Sequence, residues 1–96
     1  MTVIATYTYD PASVDARKEI LAEHLEFITG LEQAGKILAV GKVRQAAFDI
    51  LFLLDVATPE EAKTALAEDP FHKRGYVTAV EAYEWGPTRG RLSSSL

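Results

Sequence analysis

Two residues of this chain have the chemistry for proton transfer. His24 falls on the apolar side of a periodic segment, among Leu21, Leu25, Ile28 and Leu31, where a surface histidine would instead sit beside Glu23 or Glu26. An imidazole titrates near about 6.5 in water and can take or give a proton close to neutral pH. The competing reading is a core histidine hydrogen-bonded to a backbone carbonyl. Asp69 stands between a helix end and Pro70-Phe71. Its carboxylate can orient His24 and stabilise the protonated ring, or it can cap a short turn with Phe71 packed as a plug. Spacing alone does not decide whether the two residues meet. Arg17, seven residues before His24 and on the same side, can hold an anionic group of a substrate.

Other residues have weaker signals. Tyr7, Tyr9, Tyr76 and Tyr83 lie on strands, where a tyrosine can offer its hydroxyl to a ligand or simply pack. Gly41 permits close approach of a ligand or marks a bulge. The candidates are His24 and Asp69 for catalysis, and Arg17, Tyr7, Gly41 and Phe71 for substrate binding, with the packing and capping alternatives open. His72, Lys73 and Arg74 are expected in a solvated loop after Phe71. There is no cysteine, and the two histidines lack metal-ligand spacing, so no metal site is expected. There is no phosphate-binding glycine loop or nucleophile elbow, and no cofactor is expected. Ser93, Ser94 and Ser95 read as a tail rather than a catalytic serine.

Six elements must position these groups. Val3–Tyr9 alternates Val3, Ala5, Tyr7 and Tyr9 against Ile4, Thr6 and Thr8, which predicts a strand ended by Asp10-Pro11. Ser13 is expected to cap one helix running to Ala34, with Gly30 inside it and Gly35 stopping it. At about 100° per residue, Val14, Ile20, Leu21, Leu25, Phe27, Ile28 and Leu31 share one face. Lys36–Val43 and Phe48–Val56 read as two strands joined by residues 44–47. Thr58-Pro-Glu-Glu61 opens a second helix with a capping box, running to Glu68, where Asp69-Pro70 ends it. Tyr76–Trp85 is a fourth strand, stopped by Gly86-Pro87. The order β-α-β-β-α-β is the ferredoxin-like arrangement, an α+β fold with two helices on one face of a four-stranded antiparallel sheet. Residues 1–86 form the domain, and 87–96 form a polar tail expected to be mobile unless a partner holds it.

Composition narrows the function classes. With 96 residues the chain is one domain with one core. A net charge of −4 argues against general nucleic-acid binding. No segment approaches the about 20 apolar residues of a membrane helix, and the start lacks a basic n-region, so a soluble cytoplasmic chain without membrane contact is expected. Two helices leave the other sheet face uncovered, yet Leu51 and Leu53 make that face apolar as well. We therefore expect a homodimer or higher homo-oligomer joined sheet to sheet, against the alternative of a monomer with an apolar face.

The chain resembles the YCII-related (YciI-like) family over about residues 1–86. The resemblance is carried by Tyr9-Asp10, Ala22-Glu-His-Leu-Glu-Phe27, Glu32-Gln-Ala-Gly-Lys-Ile-Leu38 with Gly41, Thr58-Pro-Glu-Glu-Ala62, Glu68-Asp-Pro-Phe71 and Tyr83-Glu-Trp85. It implies a ferredoxin-like fold that dimerises through its sheet, like the dimeric α/β-barrel proteins, and a His–Asp pair at His24 and Asp69. One branch of the family removes chloride from a chlorinated hydroxyhydroquinone. The chain departs from the family where Gly41-Lys42 replaces a frequent Gly-Pro and where Ala46-Ala47 replaces glycines. The expected function is a small cofactor-independent lyase or isomerase acting on a small oxygenated molecule. The alternative is a non-catalytic small-molecule-binding or accessory interaction domain.

Overall fold

The alternation at the start of the chain produces β1 (Thr2–Tyr9), with Val3, Ala5 and Tyr7 fully buried. A computed structural model of the chain describes residues 2–94. A 3₁₀ turn (Pro11–Ser13) follows, then α1 (Val14–Glu19), α2 (Leu21–Gln33), β2 (Ile37–Lys42), β3 (Ile50–Asp55), α3 (Pro59–Leu66), α4 (Pro70–Lys73) and β4 (Val77–Glu84). The strands form one antiparallel sheet in the order β2-β3-β1-β4. This is the expected ferredoxin-like fold: each helical crossover skips one strand, so β1 and β3 become the centre and the helices lie on one face.

The register sets which side chains meet the helices. Ala5 pairs with Phe52 and Ala82, and Tyr7 with Ile50 and Val80. These residues, with Leu54, Val56, Ala62 and Leu66, build the core between sheet and helices. Directly opposed residues share a face, so Ile4, Leu53, Tyr83 and Ala39 lie together on the other face. There a trough of about 560 Å³ is lined by Ile4, Ala39, Leu51, Leu53 and Trp85, among others.

The long helix expected over Ser13–Ala34 is two helices. Ile20 leaves helical geometry (φ −113°, ψ 19°) between α1 and α2 and is itself buried. A β-branched residue gives up helical geometry at small cost. Ser13 makes no side-chain cap bond. Asp10, followed by Pro11, is the better cap: its carboxylate accepts from the Ala12 amide at 2.9 Å. The Ser13 hydroxyl instead donates to the Asp10 carbonyl and accepts from Arg17 Nε at 2.9 Å. The apolar face also divides. Phe27, Ile28 and Leu31 pack on the core, whereas Val14, Leu21 and Leu25 stay exposed, Leu25 at 51%.

Local signals fix the remaining ends. At the end of α2 the Lys36 amide donates to the Leu31 carbonyl and the Gly35 amide to the Glu32 carbonyl. With Gly35 at φ +74° this is a Schellman motif. Thr58 Oγ1 accepts from the Glu61 amide at 3.0 Å, while the Glu61 carboxylate reaches the amide of Ala57, one residue beyond the usual partner in a capping box. The irregularity in β2 lies between Ile37 and Ala39, so Gly41 does not mark a bulge. The β2–β3 connection spans residues 43–49 and includes Gln45 at φ 60°. His72 and Lys73 belong to α4 rather than a loop. Lys73 pairs with Glu68, and Arg74 with Glu23 of α2. Beyond Trp85 the tail includes a 3₁₀ turn at Arg91–Ser94, and the expectation for Ser95 and Leu96 lies outside the described residues. Among the described residues no helix is long and apolar enough to cross a membrane.

Two glycines differ in sign. Gly30 lies inside α2 with open space where a Cβ would go, and Gly35 holds positive φ. Gly30→Ala is expected to raise the unfolding free energy by about 0.5–1 kcal/mol and Gly35→Ala to lower it by about 1 kcal/mol, as read by urea denaturation.

Candidate active site

Asp69 is the N-cap of α4, placed there because Pro70 both ends the preceding backbone and starts the next turn. Its Oδ1 accepts from the Phe71 amide at 3.0 Å. The same carboxylate faces His24 on α2, with Nδ1 at 2.9 Å from Oδ1 and 3.0 Å from Oδ2. Tyr7 on β1 donates its hydroxyl to Oδ2 at 2.9 Å. Capping and orienting His24 were alternatives in the sequence, and in the structure one carboxylate does both.

The electrostatics follow from burial. Asp69 is 0% and His24 12% exposed. A buried carboxylate needs donors, and Asp69 has three: an imidazole, a phenol and an amide. An ionised carboxylate only accepts, so Nδ1 of His24 carries the hydrogen and Nε2, on the opposite edge of the ring, is left with its lone pair in the neutral form. Phe71 stacks on the imidazole, centroids 4.0 Å apart and planes 3° from parallel. It fixes the ring plane while Asp69 fixes the rotation. Burial, and next the charge of Asp69, push the Tyr7 phenol far above the ordinary tyrosine range. It therefore stays protonated and remains a donor.

Tyr7 is thus not a substrate contact. It is fully buried, and its hydroxyl is occupied by Asp69 and by the Leu66 carbonyl at 3.3 Å. Tyr9, two residues on along the same face, takes the place expected of it. It lines the cleft beside His24, its ring edge meets Phe71, and the Arg17 guanidinium lies 3.9 Å over its ring centroid. Its phenol is pushed up to about 12, chiefly by burial and against the opposing pull of Arg17.

The cleft has two adjoining parts, of about 470 Å³ and 180 Å³, which share Tyr9, His24, Leu25, Lys42 and Ile50. Arg17, Leu21 and Phe71 line the larger part, and Gly41, Ile28 and Phe52 the smaller. Arg17, His24, Gly41 and Phe71 therefore border one space, with Asp69 buried behind His24. Lys18 and Lys42 also line it but did not stand out in the sequence. Alternation from Val40 to Lys42 was the available signal, since it puts Lys42 on the helix-covered face opposite Ile50. Among the described residues no group of three or more His, Asp or Glu side chains is placed to hold a metal ion.

The raised Tyr7 value sets a pH dependence. Below about pH 10 both folded and unfolded chains keep this proton. Above it the unfolded chain releases the proton and the folded chain does not, so stability falls as pH rises, by up to about 1.4 kcal/mol per unit. Tyr7→Phe is expected to remove this part of the alkaline slope in denaturation series between pH 9 and 11.

The sequence matches the YCII-related domain model over residues 1–86. No curated protein matches it. Among solved structures, 5-chloro-2-hydroxyhydroquinone dehydrochlorinase TftG from Burkholderia phenoliruptrix, in complex with 2,5-dihydroxybenzoquinone, superposes with a TM-score of 0.74 at 22% identity, over 88% of this chain and 93% of that one. MtbAldR superposes with a TM-score of 0.58 at 12% identity, over 94% of this chain and 54% of its own. At3g17210 from Arabidopsis thaliana gives 0.50 at 13% identity, over 95% and 98%. At these identities the likeness is one of fold. With nearly the whole sequence matched by the family model, the chain belongs to the YCII-related family.

Proposed function

We propose that this protein is a small cofactor-independent enzyme of lyase or isomerase type, with His24 as general acid or base and Asp69 as its orienting partner. The observation that carries this reading is the 2.9 Å contact between a buried carboxylate and a histidine that borders an open cleft. With Nδ1 engaged, Nε2 takes a proton from the bound molecule and later returns one, and Asp69 stabilises the imidazolium between the two steps. The substrate class is a small oxygenated molecule with an apolar, ring-like body, which suits walls made by Tyr9, Leu25, Ile50 and Phe71. Elimination of HCl from a chlorinated polyhydroxybenzene is one such reaction: the ring carbon that bears chlorine gains a proton as the neighbouring hydroxyl loses one, a second hydroxyl then loses its proton as chloride departs with the C–Cl bonding electrons, and the quinone forms with no external oxidant. TftG, similar in fold, is a dehydrochlorinase of this kind. Arg17, held between Ser13 and Tyr9, supplies a fixed positive charge at the mouth.

The test is chloride release from 5-chloro-2-hydroxyhydroquinone. The wild-type chain is expected to turn it over. His24→Ala and Asp69→Asn should each lower kcat by about 10²–10⁴-fold, while circular dichroism remains native, since asparagine is also an N-cap. Saturable binding with no product would replace this reading with that of a non-catalytic binding domain.

We further propose that the chain acts as a homodimer or higher homo-oligomer joined through the open sheet face. In support, Ile4, Ala39, Leu51, Leu53 and Trp85 form an apolar trough there. Sedimentation at micromolar concentration should give at least a dimer, and Leu53→Glu a monomer. A wild-type monomer would refute this.

A further inference from the structure

The charge around the cleft is opposite to that of the molecule. The chain carries 14 acidic residues and a net charge of −4, yet among the described residues no carboxylate lines the cleft. Its charged lining consists of Arg17, Lys18 and Lys42. Arg17 is bound only to a hydroxyl and a phenol ring, and among the described residues none of the three is in an ion pair. Elsewhere cations do find acids, as in Lys73–Glu68 and Arg74–Glu23. Unpaired cations gathered on one concave surface raise the local concentration of anions.

The three cations are not equivalent. Arg17 and Lys18 come from α1, on one side of the opening, and the Arg17 guanidinium is already committed to Ser13 and Tyr9. Lys42 comes from the end of the edge strand β2 and lies on the helix-covered face opposite Ile50. It is the cation that borders both parts of the cleft. A flexible, strongly hydrated ammonium in that position can follow a ligand's charged group, while the exposed Leu21, Leu25 and Val14 of the same cleft offer apolar surface.

We propose that Lys42 is the specificity-determining residue of the cleft, and that the ligand is a small organic anion with an apolar body, its carboxylate or ionised phenol held by Lys42 with Arg17 opposite. This rests on the reading that the cleft beside His24 is the working site. It adds the charge of the ligand and the residue that selects it.

The test uses two probes of nearly equal shape, 2,5-dihydroxybenzoate and its neutral amide, titrated into the full chain and followed by calorimetry and amide chemical shifts. The wild type should bind the carboxylate about tenfold more tightly than the amide, the size of a charge-assisted hydrogen bond. Shift changes should centre on residues 40–42 and His24. Lys42→Gln should remove most of that preference without weakening the amide, and Lys63→Gln, a cation on the exposed side of α3, should leave it intact. Equal binding of the two probes by the wild type, or a preference that survives in Lys42→Gln, overturns the proposal. His24→Ala separates this from the catalytic reading: it should retain the preference while losing turnover. If it keeps turnover, the catalytic role of His24 fails and the anion site stands.

Discussion

A carboxylate removed from water constrains most of this molecule. Asp69 is fully buried, and an ionised carboxylate in that position costs several kcal/mol unless donors replace its hydration, about that order by general estimates. The donors come from three parts of the chain: Tyr7 on β1, His24 on α2 and the Phe71 amide at the start of α4. The centre of the sheet, the long helix and the short capped turn are thereby held to one point. The fold positions the histidine, and the histidine helps the fold tolerate the charge. Loss of either partner therefore affects stability together with the proposed chemistry.

Much of the fold was legible because its signals are local. Two-residue alternation marked β1 and β4, Thr58-Pro marked the start of α3, and Gly35 marked the end of α2. The illegible parts depend on competition or on distant contacts. Asp10 outcompeted Ser13 as a cap because proline followed it. Ile20 broke the helix although neither glycine nor proline is there, and α2 consequently presents Leu21 and Leu25 to the cleft rather than the core. The β2 irregularity fell at Leu38 rather than Gly41, since a bulge answers to the register of its partner strand.

The site was legible in its residue types and not in its pairings. His24 and Asp69 are 45 residues apart, and only the stacking of α2 against α4 brings them together. The resemblance to the YCII-related family anticipated that pair, whereas periodicity did not. Tyr7 and Tyr9 have the same alternation phase and cannot be told apart by it. What separates them is that Asp69 and the Leu66 carbonyl enclose the Tyr7 hydroxyl, whereas Tyr9 borders the cleft between Arg17 and Phe71. Lys42 went unnoticed because a lysine near a strand end is ordinary, and its meaning comes from Arg17 and Lys18 across the cleft.

Orientation of His24 by Asp69 links the fold to the proposed chemistry, and the tautomer of His24 reports it directly. Long-range ¹H–¹⁵N correlation spectra of the neutral imidazole should show Nδ1 as the protonated, pyrrole-like nitrogen and Nε2 as the pyridine-like one, with that assignment lost in Asp69→Asn. A His24 ring protonated on Nε2, or one averaging between tautomers as free imidazole does, would contradict it.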